Sequence, residues 1–277
     1  MSKQSPQSPC AAAVITGAGS GLGRAMALQF SKAGYRVAVT DSVQARADSV
    51  AREIVAAGGQ AFAQHLDVCS EAHWDALYQR VLTEWGCVDV LVNNAGVAGG
   101  GRLEDTPLED WQWIMDTNLM GVVRGCHRFL PMMREQARGH IVNVSSFAGL
   151  VPVPLLAAYG TAKAGVVALS EQLRVDLDGS GVNVTLLCPA FVKTRLLDDY
   201  RAPDLHTRLM AEKLMNRSSV TPDDVALSVI KALDRKRFLV LTHRPTHWAL
   251  RMRRWFPNRF HGTMVAMARR AKRKFRQ

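Results

Sequence analysis

Short β-rich runs alternate with longer helical patterns along most of this chain, and this alternation constrains the fold more than any other feature. The first three pairs are runs 12–16, 36–40 and 61–66, each followed by a helical pattern, at 22–33, 43–57 and 71–85. The alternation continues through 88–93, 108–135, 140–144, 157–177 and 182–187. Strands separated by helices in this way pair in parallel. The sequence therefore predicts an α/β fold with a doubly wound parallel sheet flanked by helices.

The pattern breaks after Pro189 into a polar stretch dotted with leucine and methionine. Thr221-Pro-Asp-Asp224 then places proline and acids where a helix start favours them, and run 238–241 predicts a last strand. A chain of 277 residues with 48% hydrophobic content suits one large domain. We predict a flexible N-terminus at 1–11, a domain at 12–242 and a tail at 243–277.

The cysteine pattern predicts neither a metal site nor a disulfide framework. The five cysteines are scattered, with no Cys-x-x-Cys and no Cys/His cluster at ligand spacing. They are typical of reduced, mostly buried thiols in an intracellular protein. The polar N-terminal residues 1–9 are followed by the short apolar segment 11–15, which is more typical of a first strand than of a signal peptide. No uncharged apolar run in the sequence is long enough to span a bilayer as a helix. We expect a cytoplasmic protein whose membrane contact, if any, is peripheral.

The positive charge of the chain lies in its C-terminal tail. The net charge is +11, and residues 243–277 hold 11 Lys and Arg and no Asp or Glu, which leaves 24 basic and 24 acidic residues before them. This asymmetry indicates a localised surface function separate from the neutral body.

A glycine-rich turn, Thr16-Gly-Ala-Gly-Ser-Gly-Leu-Gly23, follows the first predicted strand. Gly17, Gly21 and Gly23 allow the backbone to approach a diphosphate, and the next helix start offers free N–H groups to an anion. The spacing differs from Gly-x-Gly-x-x-Gly. Because glycine-rich strand–helix turns are common, an ordinary connection stays an alternative at this point.

Tyr159 and Lys163 are four residues apart in a helical pattern and so share one face of a helix. A tyrosine titrates near 10 and needs an adjacent positive charge to remove a proton near neutral pH, which the lysine can provide. Ser145 and Ser146 follow a strand end, where a hydroxyl could hold a substrate oxygen beside the phenol. Asn118 lies inside a long helical stretch, where asparagine is a poor choice unless its side chain has a role such as holding water or kinking the helix.

The order and spacing of these residues resemble the short-chain dehydrogenase/reductase family over residues 12–242. Its turn is Thr-Gly-x-x-x-Gly-x-Gly, as at 16–23, and its serine precedes the tyrosine by 13 residues, which selects Ser146 over Ser145. The resemblance implies a Rossmann-type fold with a catalytic set of Asn118, Ser146, Tyr159 and Lys163. In the family the tyrosine takes the hydroxyl proton, the lysine tunes it and binds the nicotinamide ribose, and the asparagine orders a water chain to the lysine.

The resemblance also implies the cofactor-binding residues. These are Gly17, Ser20, Gly21, Leu22, Gly23, Asp41, Asp67, Val68, Asn94, Ala95, Gly96, Tyr159, Lys163, Pro189, Val192 and Thr194. Asp67 would lie near the adenine amino group, and the Val192 backbone and Thr194 hydroxyl would hold the carboxamide. One departure is Ala190, which replaces the usual glycine after Pro189.

Asp41 predicts NAD as the cofactor rather than NADP. It ends the second predicted strand about 20 residues after the turn, where a carboxylate accepts hydrogen bonds from the ribose hydroxyls and repels a 2′-phosphate. Neither Ser20 nor Ser42 supplies a cation for that phosphate, although Arg46 could swing in.

Residues 195–220 occupy the place of the family's substrate lid. Apolar side chains there and at 151–156 suit a hydrophobic alcohol or ketone of steroid, retinoid or long-chain lipid type, although they are equally typical of core-facing residues. The lid residues are Leu196, Leu197, Tyr200, Leu205, Leu209, Met210, Leu214 and Met215. A 3-oxoacyl-thioester reductase is the alternative enzyme, and a cofactor-binding, membrane-associated scaffold is the non-enzyme alternative.

The tail has the pattern of two basic amphipathic helices separated by Pro257. The first would place Trp248, Met252, Trp255 and Phe256 on one face; the second would gather Met264, Met267, Ala268, Ala271 and Phe275, with Arg269, Arg270 and Arg273 opposite. Basic amphipathic helices of this kind lie on anionic membranes. Two alternatives stay open: packing of the aromatic face on the domain or a second subunit, and docking to an acidic carrier protein. Binding to nucleic acid is the least favoured interpretation. The family resemblance implies a homodimer or homotetramer built through the helices that carry Asn118 and Tyr159.

Overall fold

In the part of the chain that the structure describes, seven parallel strands form one central sheet. The computed structural model describes residues 10–203 and 205–274. The strands are β1 (Ala12–Ile15), β2 (Arg36–Asp41), β3 (Ala61–His65), β4 (Val90–Asn93), β5 (Gly139–Val144), β6 (Val182–Cys188) and β7 (Leu239–Leu241). Their order is β3-β2-β1-β4-β5-β6-β7, and every neighbouring pair is parallel. The predicted doubly wound sheet is confirmed.

Helices cover both faces of this sheet. They are α1 (Gly21–Lys32), α2 (Gln44–Ala56), α3 (Glu71–Trp85), α4 (Leu108–Met115), α5 (Gly121–Glu135), α6 (Phe147–Leu150), α7 (Ala157–Asp176), α8 (Leu205–Asn216), α9 (Pro222–Asp234), α10 (Arg244–Trp255) and α11 (Pro257–Lys274). One apolar core lies under α1, α2 and α9, and a second lies under α3, α5 and α7. Two separate cores are what strands with crossovers on both sides require.

The sheet order creates the position for a site. Strand β1 pairs with β2 on one side and with β4 on the other, so the direction in which successive strands are added to the sheet reverses between β1 and β4. In open α/β sheets the crevice at the carboxyl ends of the strands beside such a reversal holds the ligand. The glycine-rich turn follows β1 and residues 94–97 follow β4, so both lie at this crevice.

The prediction of five reduced thiols is wrong for two of them, because Cys10 and Cys87 form a disulfide with a Cα–Cα distance of 6.1 Å. Cys10 precedes β1 and Cys87 precedes β4, and the pairing of these two strands brings the cysteines together. Cys69, Cys126 and Cys188 are free thiols.

Three predicted segments need separate comment. The Thr221 cap is present, with a reciprocal pair of hydrogen bonds between Thr221 and Asp224 at the start of α9. The stretch after Pro189, where the alternating pattern breaks, contains a 3-10 turn at Arg195–Leu197 and helix α8. The N-terminal residues 1–9 lie outside the described part of the chain. Within the described residues, no helix is long and apolar enough to cross a membrane.

Candidate active site

A cleft of about 780 Å³ opens at the carboxyl ends of β1 and β4. Its volume lies within the range of small-molecule and cofactor sites. All of the predicted cofactor-binding residues line it: Gly17, Ser20, Gly21, Leu22, Gly23, Asp41, Asp67, Val68, Asn94, Ala95, Gly96, Tyr159, Lys163, Pro189, Val192 and Thr194. Ser146 lines it as well. Residues from seven separate segments of the chain therefore meet at one surface.

The glycine-rich turn is shaped to present backbone N–H groups to the cleft. Gly21 has a φ of 51°, a left-handed conformation that favours glycine. A side chain on Gly23 would overlap the carbonyl oxygen of Gly17, so the turn can close tightly onto the start of α1 only with glycine there. Ser20 precedes α1 and its side chain makes no capping hydrogen bond. The free N–H groups at this helix start fit an anion such as a diphosphate.

Residues after β4 hold the turn in place. The Thr16 hydroxyl accepts hydrogen bonds from the backbone N–H groups of Asn94 and Ala95, both at 2.9 Å. The Asn94 side-chain amide in turn donates to the carbonyl of Thr16 at 2.9 Å. These bonds connect the two strand ends that flank the cleft, and they give Thr16 and Asn94 a structural role.

Asp41 is buried at the end of β2, and its carboxylate has two backbone partners. It accepts hydrogen bonds from the N–H of Gly19 at 3.1 Å and of Val43 at 2.9 Å. A carboxylate has acceptor capacity for about four hydrogen bonds, so capacity is left for hydroxyl donors in the cleft. Arg46, which also lines the cleft, approaches the same turn.

The predicted adenine and carboxamide contacts lie on separate segments of the cleft. Asp67 is exposed and its carboxylate accepts a hydrogen bond from the N–H of Cys69 at 2.9 Å. The Pro189 carbonyl accepts from the N–H of Phe147 at 2.8 Å, which ties the segment after β6 to α6. Thr194 contacts Gly21 across the cleft, and its hydroxyl accepts from the N–H of Leu196 at 3.3 Å.

Tyr159 and Ser146 lie together at one end of the cleft. Burial raises the pKa of the Tyr159 phenol above 10, whereas its hydrogen bond with Ser146 acts in the opposite direction. Ser146 precedes α6, and its hydroxyl also accepts from the N–H of Ala148 at 3.1 Å. The Ser145 hydroxyl instead donates to the carbonyl of Lys163 at 2.7 Å. Ser146 is therefore the serine of the two that meets the phenol.

Lys163 lies on the same face of α7 as Tyr159, and its side chain is 4% exposed. Its Nζ is 5.9 Å from the centre of the Tyr159 ring and donates a hydrogen bond to the carbonyl of Val144 at 2.9 Å. Burial lowers the pKa of the Lys163 ammonium to about 8, although the nearby Cys188 thiol acts in the opposite direction. Lys163 is thus a nearly buried cation close to the tyrosine, as the spacing predicts.

Asn118 lies in a π-helical segment, Asp116–Met120, between α4 and α5. Its side chain is fully buried and bridges the backbone of Val97, since Oδ1 accepts from the N–H and Nδ2 donates to the carbonyl, both at 2.8 Å. A Cβ on Gly96 would meet both Asn118 Oδ1 and Lys163 Nζ, which shows how closely these groups approach each other. π-helical insertions are frequent at functional sites. The unusual interior asparagine therefore accompanies a distortion of the helix beside the cleft.

The residues predicted to form the substrate lid divide into two groups. Leu196, Leu197, Tyr200 and Met215 line the cleft, as do Val153 and Leu156 from segment 151–156. Leu209 is 50% exposed to solvent, so its prediction as a pocket wall is wrong. Leu214 is half-buried but does not line the cleft. The side chains of Leu205 and Met210 lie outside the described part of the structure.

Trp113, Phe191 and Arg201 are cleft residues that the sequence reasoning missed. The Arg201 guanidinium stacks over the Trp113 ring at 4.0 Å and pairs with Asp110 at 2.9 Å. The backbone of Arg201 also bonds to residues 98 and 100, after β4. These contacts fasten the start of the lid to the body.

The fold and the cleft are those of a Rossmann-type dinucleotide-binding protein. The chain belongs to the short-chain dehydrogenase family, since a family model described as "short chain dehydrogenase" matches residues 11–204. The family resemblance drawn from the motifs is confirmed. Its catalytic assignments to Asn118, Ser146, Tyr159 and Lys163 stay predictions.

Two curated relatives and one solved structure illustrate the similarity. A "Probable oxidoreductase EphD" of Mycobacterium tuberculosis is 38% identical over 232 residues, which are 80% of this chain but 39% of the relative. The chain thus spans about two fifths of the length of that protein. A "3-oxoacyl-[acyl-carrier-protein] reductase" of Synechocystis is 36% identical over 69% of this chain and 77% of its own length. A short-chain dehydrogenase/reductase from Burkholderia phymatum, solved with NAD, has a TM-score of 0.84 and 34% identity, and covers 88% of this chain and 92% of its own.

Other similar structures of the family contain 5-hydroxy-NADP or NADPH. The comparisons therefore support a nicotinamide cofactor and leave the choice between NAD and NADP open.

Proposed function

We propose that this protein is an NAD-dependent oxidoreductase that interconverts a hydrophobic alcohol and its ketone or aldehyde. The observation that supports this most directly is a set of apolar side chains that line the same cleft as Tyr159 and Ser146. The side chains that form it are Trp113, Val153, Leu156, Leu196, Leu197, Tyr200 and Met215. An apolar substrate gains free energy when it leaves water for such a wall, whereas the polar side chains near it fix the orientation of the reacting oxygen.

In this proposal Tyr159 exchanges a proton with the substrate oxygen. During oxidation the phenolate takes the hydroxyl proton, and during reduction the phenol returns it to the carbonyl oxygen. Ser146, already hydrogen-bonded to the phenol, holds the same oxygen in reach. Bound nicotinamide supplies the hydride chemistry at the carbinol carbon, while the protein provides placement and electrostatics.

Lys163 and Asn118 support the tyrosine. A buried ammonium 5.9 Å from the Tyr159 ring favours the phenolate form over the neutral phenol. The hydrogen bond from Nζ to the carbonyl of Val144 keeps this charge in a fixed place. Asn118 fixes the Val97 backbone at the edge of the cleft next to the lysine.

Asp41 is the residue that selects NAD in this proposal. The N–H groups of Gly19 and Val43 hold its carboxylate at the end of β2, where the ribose hydroxyls of a bound dinucleotide would donate to it. A 2′-phosphate at that place would meet a buried negative charge. Arg46, which lines the cleft and approaches the same turn, is a cation that could offset this repulsion.

The substitution Asp41→Asn tests the NAD preference. The amide is of similar size and keeps one carbonyl oxygen but carries no charge, so we expect the ratio of the NADPH and NADH dissociation constants to fall by about tenfold or more, equivalent to about 1.4 kcal/mol. Asp178→Asn makes the same charge change at an exposed position after α7 and should leave the ratio unchanged. Tighter binding of NADPH than NADH by the parent protein would contradict the assignment.

A homologous series of alkan-2-ols with NAD tests the substrate class. Each added methylene that is buried contributes about 0.8 kcal/mol, so kcat/KM should rise by roughly three- to fourfold per carbon until the apolar lining is covered. A flat response to chain length would contradict an apolar pocket.

A 3-oxoacyl-thioester reductase is the second candidate, and the similarity to the Synechocystis reductase favours it. Reduction of a 3-oxoacyl thioester at a kcat/KM far above that of any alkan-2-ol or its ketone would select this alternative. The same tyrosine and serine would then serve a substrate whose apolar chain lies along the lining and whose thioester is delivered by a carrier.

A further inference from the structure

The basic tail, residues 243–277, carries an exposed stripe of alternating cationic and aromatic side chains. Along α10 the stripe consists of Arg244, Trp248, Arg251 and Trp255, at spacings of four, three and four residues. Such spacings place side chains on one face of a helix. All four are exposed, and Trp248 and Trp255 are exposed by 65% and 71%. Of the residues predicted to share the aromatic face, Trp248, Trp255 and Phe256 are thus exposed to solvent, whereas Met252 is half-buried.

The remaining sides of α10 pack on the protein. Thr246 is 4% exposed, and Ala249, Leu250 and Met252 are half-buried. α10 contacts β7 and α11, and in α11 Phe260 is 7% exposed. The helix therefore has an attachment that does not use its tryptophans. Packing of the aromatic face on the domain, one of the alternatives that the sequence left open, is not what the structure has.

The exposure of these tryptophans contrasts with the rest of the chain. The other four are Trp74, which is fully buried, and Trp85, Trp111 and Trp113, which are half-buried. Phe256, between α10 and α11, is 49% exposed, and Met267 on α11 is 52% exposed. Two exposed tryptophans on one face of α10 mark an interaction site.

The charges around the aromatic side chains are uncompensated by the protein. No Asp or Glu occurs in residues 243–277, and within the described part of the tail no arginine is in an ion pair. Arg254 lies 5.7 Å from the centre of the Trp255 ring, and Arg259 lies 5.8 Å from that of Phe256. The surface thus offers cations and aromatic rings side by side. The side chains of residues 270–277 lie outside the described part of the structure.

The tail also begins next to the cleft. α10 follows β7 at the carboxyl edge of the sheet, and His243, the residue before α10, interacts with the backbone of Phe191, a residue of the cleft. Its imidazole also lies 3.3 Å from the hydroxyl of Ser218, just after α8. A surface that bound to the tail would therefore be close to the lid.

We propose that the Arg-Trp stripe of α10 docks the protein onto an anionic phospholipid membrane. Tryptophan lies at the boundary between headgroups and acyl chains, and arginine beside it meets the lipid phosphates. The two exposed tryptophans of the stripe favour a lipid interface over duplex DNA, whose backbone is contacted mainly by arginine, lysine and polar side chains. Two copies of the stripe would bring arginine against arginine, which disfavours self-association through this face.

Vesicle co-sedimentation of the full-length protein tests the docking. We expect binding to phosphatidylcholine vesicles that contain about 30 mol% phosphatidylglycerol, weak binding to pure phosphatidylcholine, and loss of the difference in about 0.5 M NaCl. The double variant Arg244→Gln/Arg251→Gln should lower the partition coefficient about twentyfold or more, at roughly fivefold per arginine. Trp248→Gln/Trp255→Gln should lower it at least tenfold.

Matched controls separate the stripe from general charge and hydrophobicity. Arg52→Gln/Lys231→Gln removes the same charge from exposed sites on the body, and Leu108→Gln/Val175→Gln removes exposed apolar side chains there. Both controls should bind vesicles like the parent. Equal binding by the parent and both stripe variants would overturn the proposal.

Three other results would also overturn it. One is a parent protein that does not sediment with anionic vesicles. Another is a Trp248→Gln/Trp255→Gln variant that binds vesicles like the parent but has a different oligomeric state in analytical ultracentrifugation. The stripe would then join copies of this chain. The third is stripe-dependent binding of a single-stranded oligonucleotide that displaces the vesicles at equal phosphate concentration. The test uses no substrate, so its outcome is independent of the proposed activity.

Discussion

Replacing Tyr159 with Phe should abolish turnover while leaving cofactor binding nearly intact. The substitution removes only the hydroxyl that meets Ser146, and proton transfer by a positioned side chain contributes about 10²- to 10⁴-fold to a rate. We therefore expect kcat to fall by at least about 100-fold, with a dissociation constant for NADH within about threefold of the parent. Steady-state kinetics with an alkan-2-ol and NADH fluorescence titration measure the two quantities.

Tyr78→Phe is the matched control for this experiment. Tyr78 lies on α3 and packs against Phe129, 5.7 Å between ring centres, within the core on one face of the sheet and not in the cleft. It loses the same hydroxyl and should keep parental kinetics. Turnover retained by Tyr159→Phe would refute the role of Tyr159, and loss of NADH binding together with turnover would show that the hydroxyl serves the fold or the cofactor instead.

Replacing Lys163 with Met should lower turnover by about 100-fold or more and, at the same time, raise the stability of the protein without ligand. Burial lowers the pKa of Lys163 from 10.5 to about 8, and this difference corresponds to about 3 kcal/mol against folding at neutral pH. Methionine removes that cost. It also leaves the carbonyl of Val144 without its 2.9 Å partner, which costs about 1–3 kcal/mol. We expect a net gain of about 1 kcal/mol in the free energy of unfolding.

The gain in the free energy of unfolding of the Lys163→Met variant should depend on pH. Between pH 8 and 10.5 the unfolded chain keeps a proton on Lys163 that the folded protein has lost, so the lysine's contribution to stability rises with pH in that window. The advantage of Lys163→Met over the parent should therefore shrink as pH rises from 8 towards 10.5. Urea denaturation at several pH values measures it. An advantage that is constant or grows with pH would show that burial does not depress the pKa of this lysine.

Much of the fold could be predicted because its local signals agree with its topology. Helix α3 has the bounds that the pattern at 71–85 predicts. It begins directly after Ser70, whose hydroxyl accepts a hydrogen bond from the N–H of His73. The stretch predicted as one helix at 108–135 is α4, the π-helical segment and α5 in continuous succession. The alternation of strand and helix then allows few arrangements other than a doubly wound sheet.

The features that could not be predicted depend on contacts between distant segments. The Cys10–Cys87 pair spans 77 residues and exists because β1 and β4 are neighbours, which no local spacing of cysteines indicates. Arg201 enters the cleft because its backbone joins the loop after β4 and its side chain finds Trp113 and Asp110. Leu209 faces solvent although its neighbours in the same segment line the pocket.

The candidate site was easier to predict than its surroundings, since its chemistry depends on short, ordered spacings. Tyr159 and Lys163 meet because they share a helix face, and Ser146 reaches the phenol because α6 folds back beside α7. The shape of the substrate pocket instead depends on how the lid packs on the body. Assembly through the helices that carry Asn118 and Tyr159 stays a prediction.

Transfer of deuterium from a labelled alcohol tests the central claim most directly. The protein would be given NAD and an alkan-2-ol with deuterium on the carbinol carbon, and the reduced cofactor would be examined by mass spectrometry, with Tyr159→Phe protein as the blank. The account predicts one deuterium in the NADH that forms with the parent, and no reduced cofactor above background with the variant. Reduced cofactor without the label, or equal formation by the variant, would contradict hydride transfer at the Tyr159 end of the cleft.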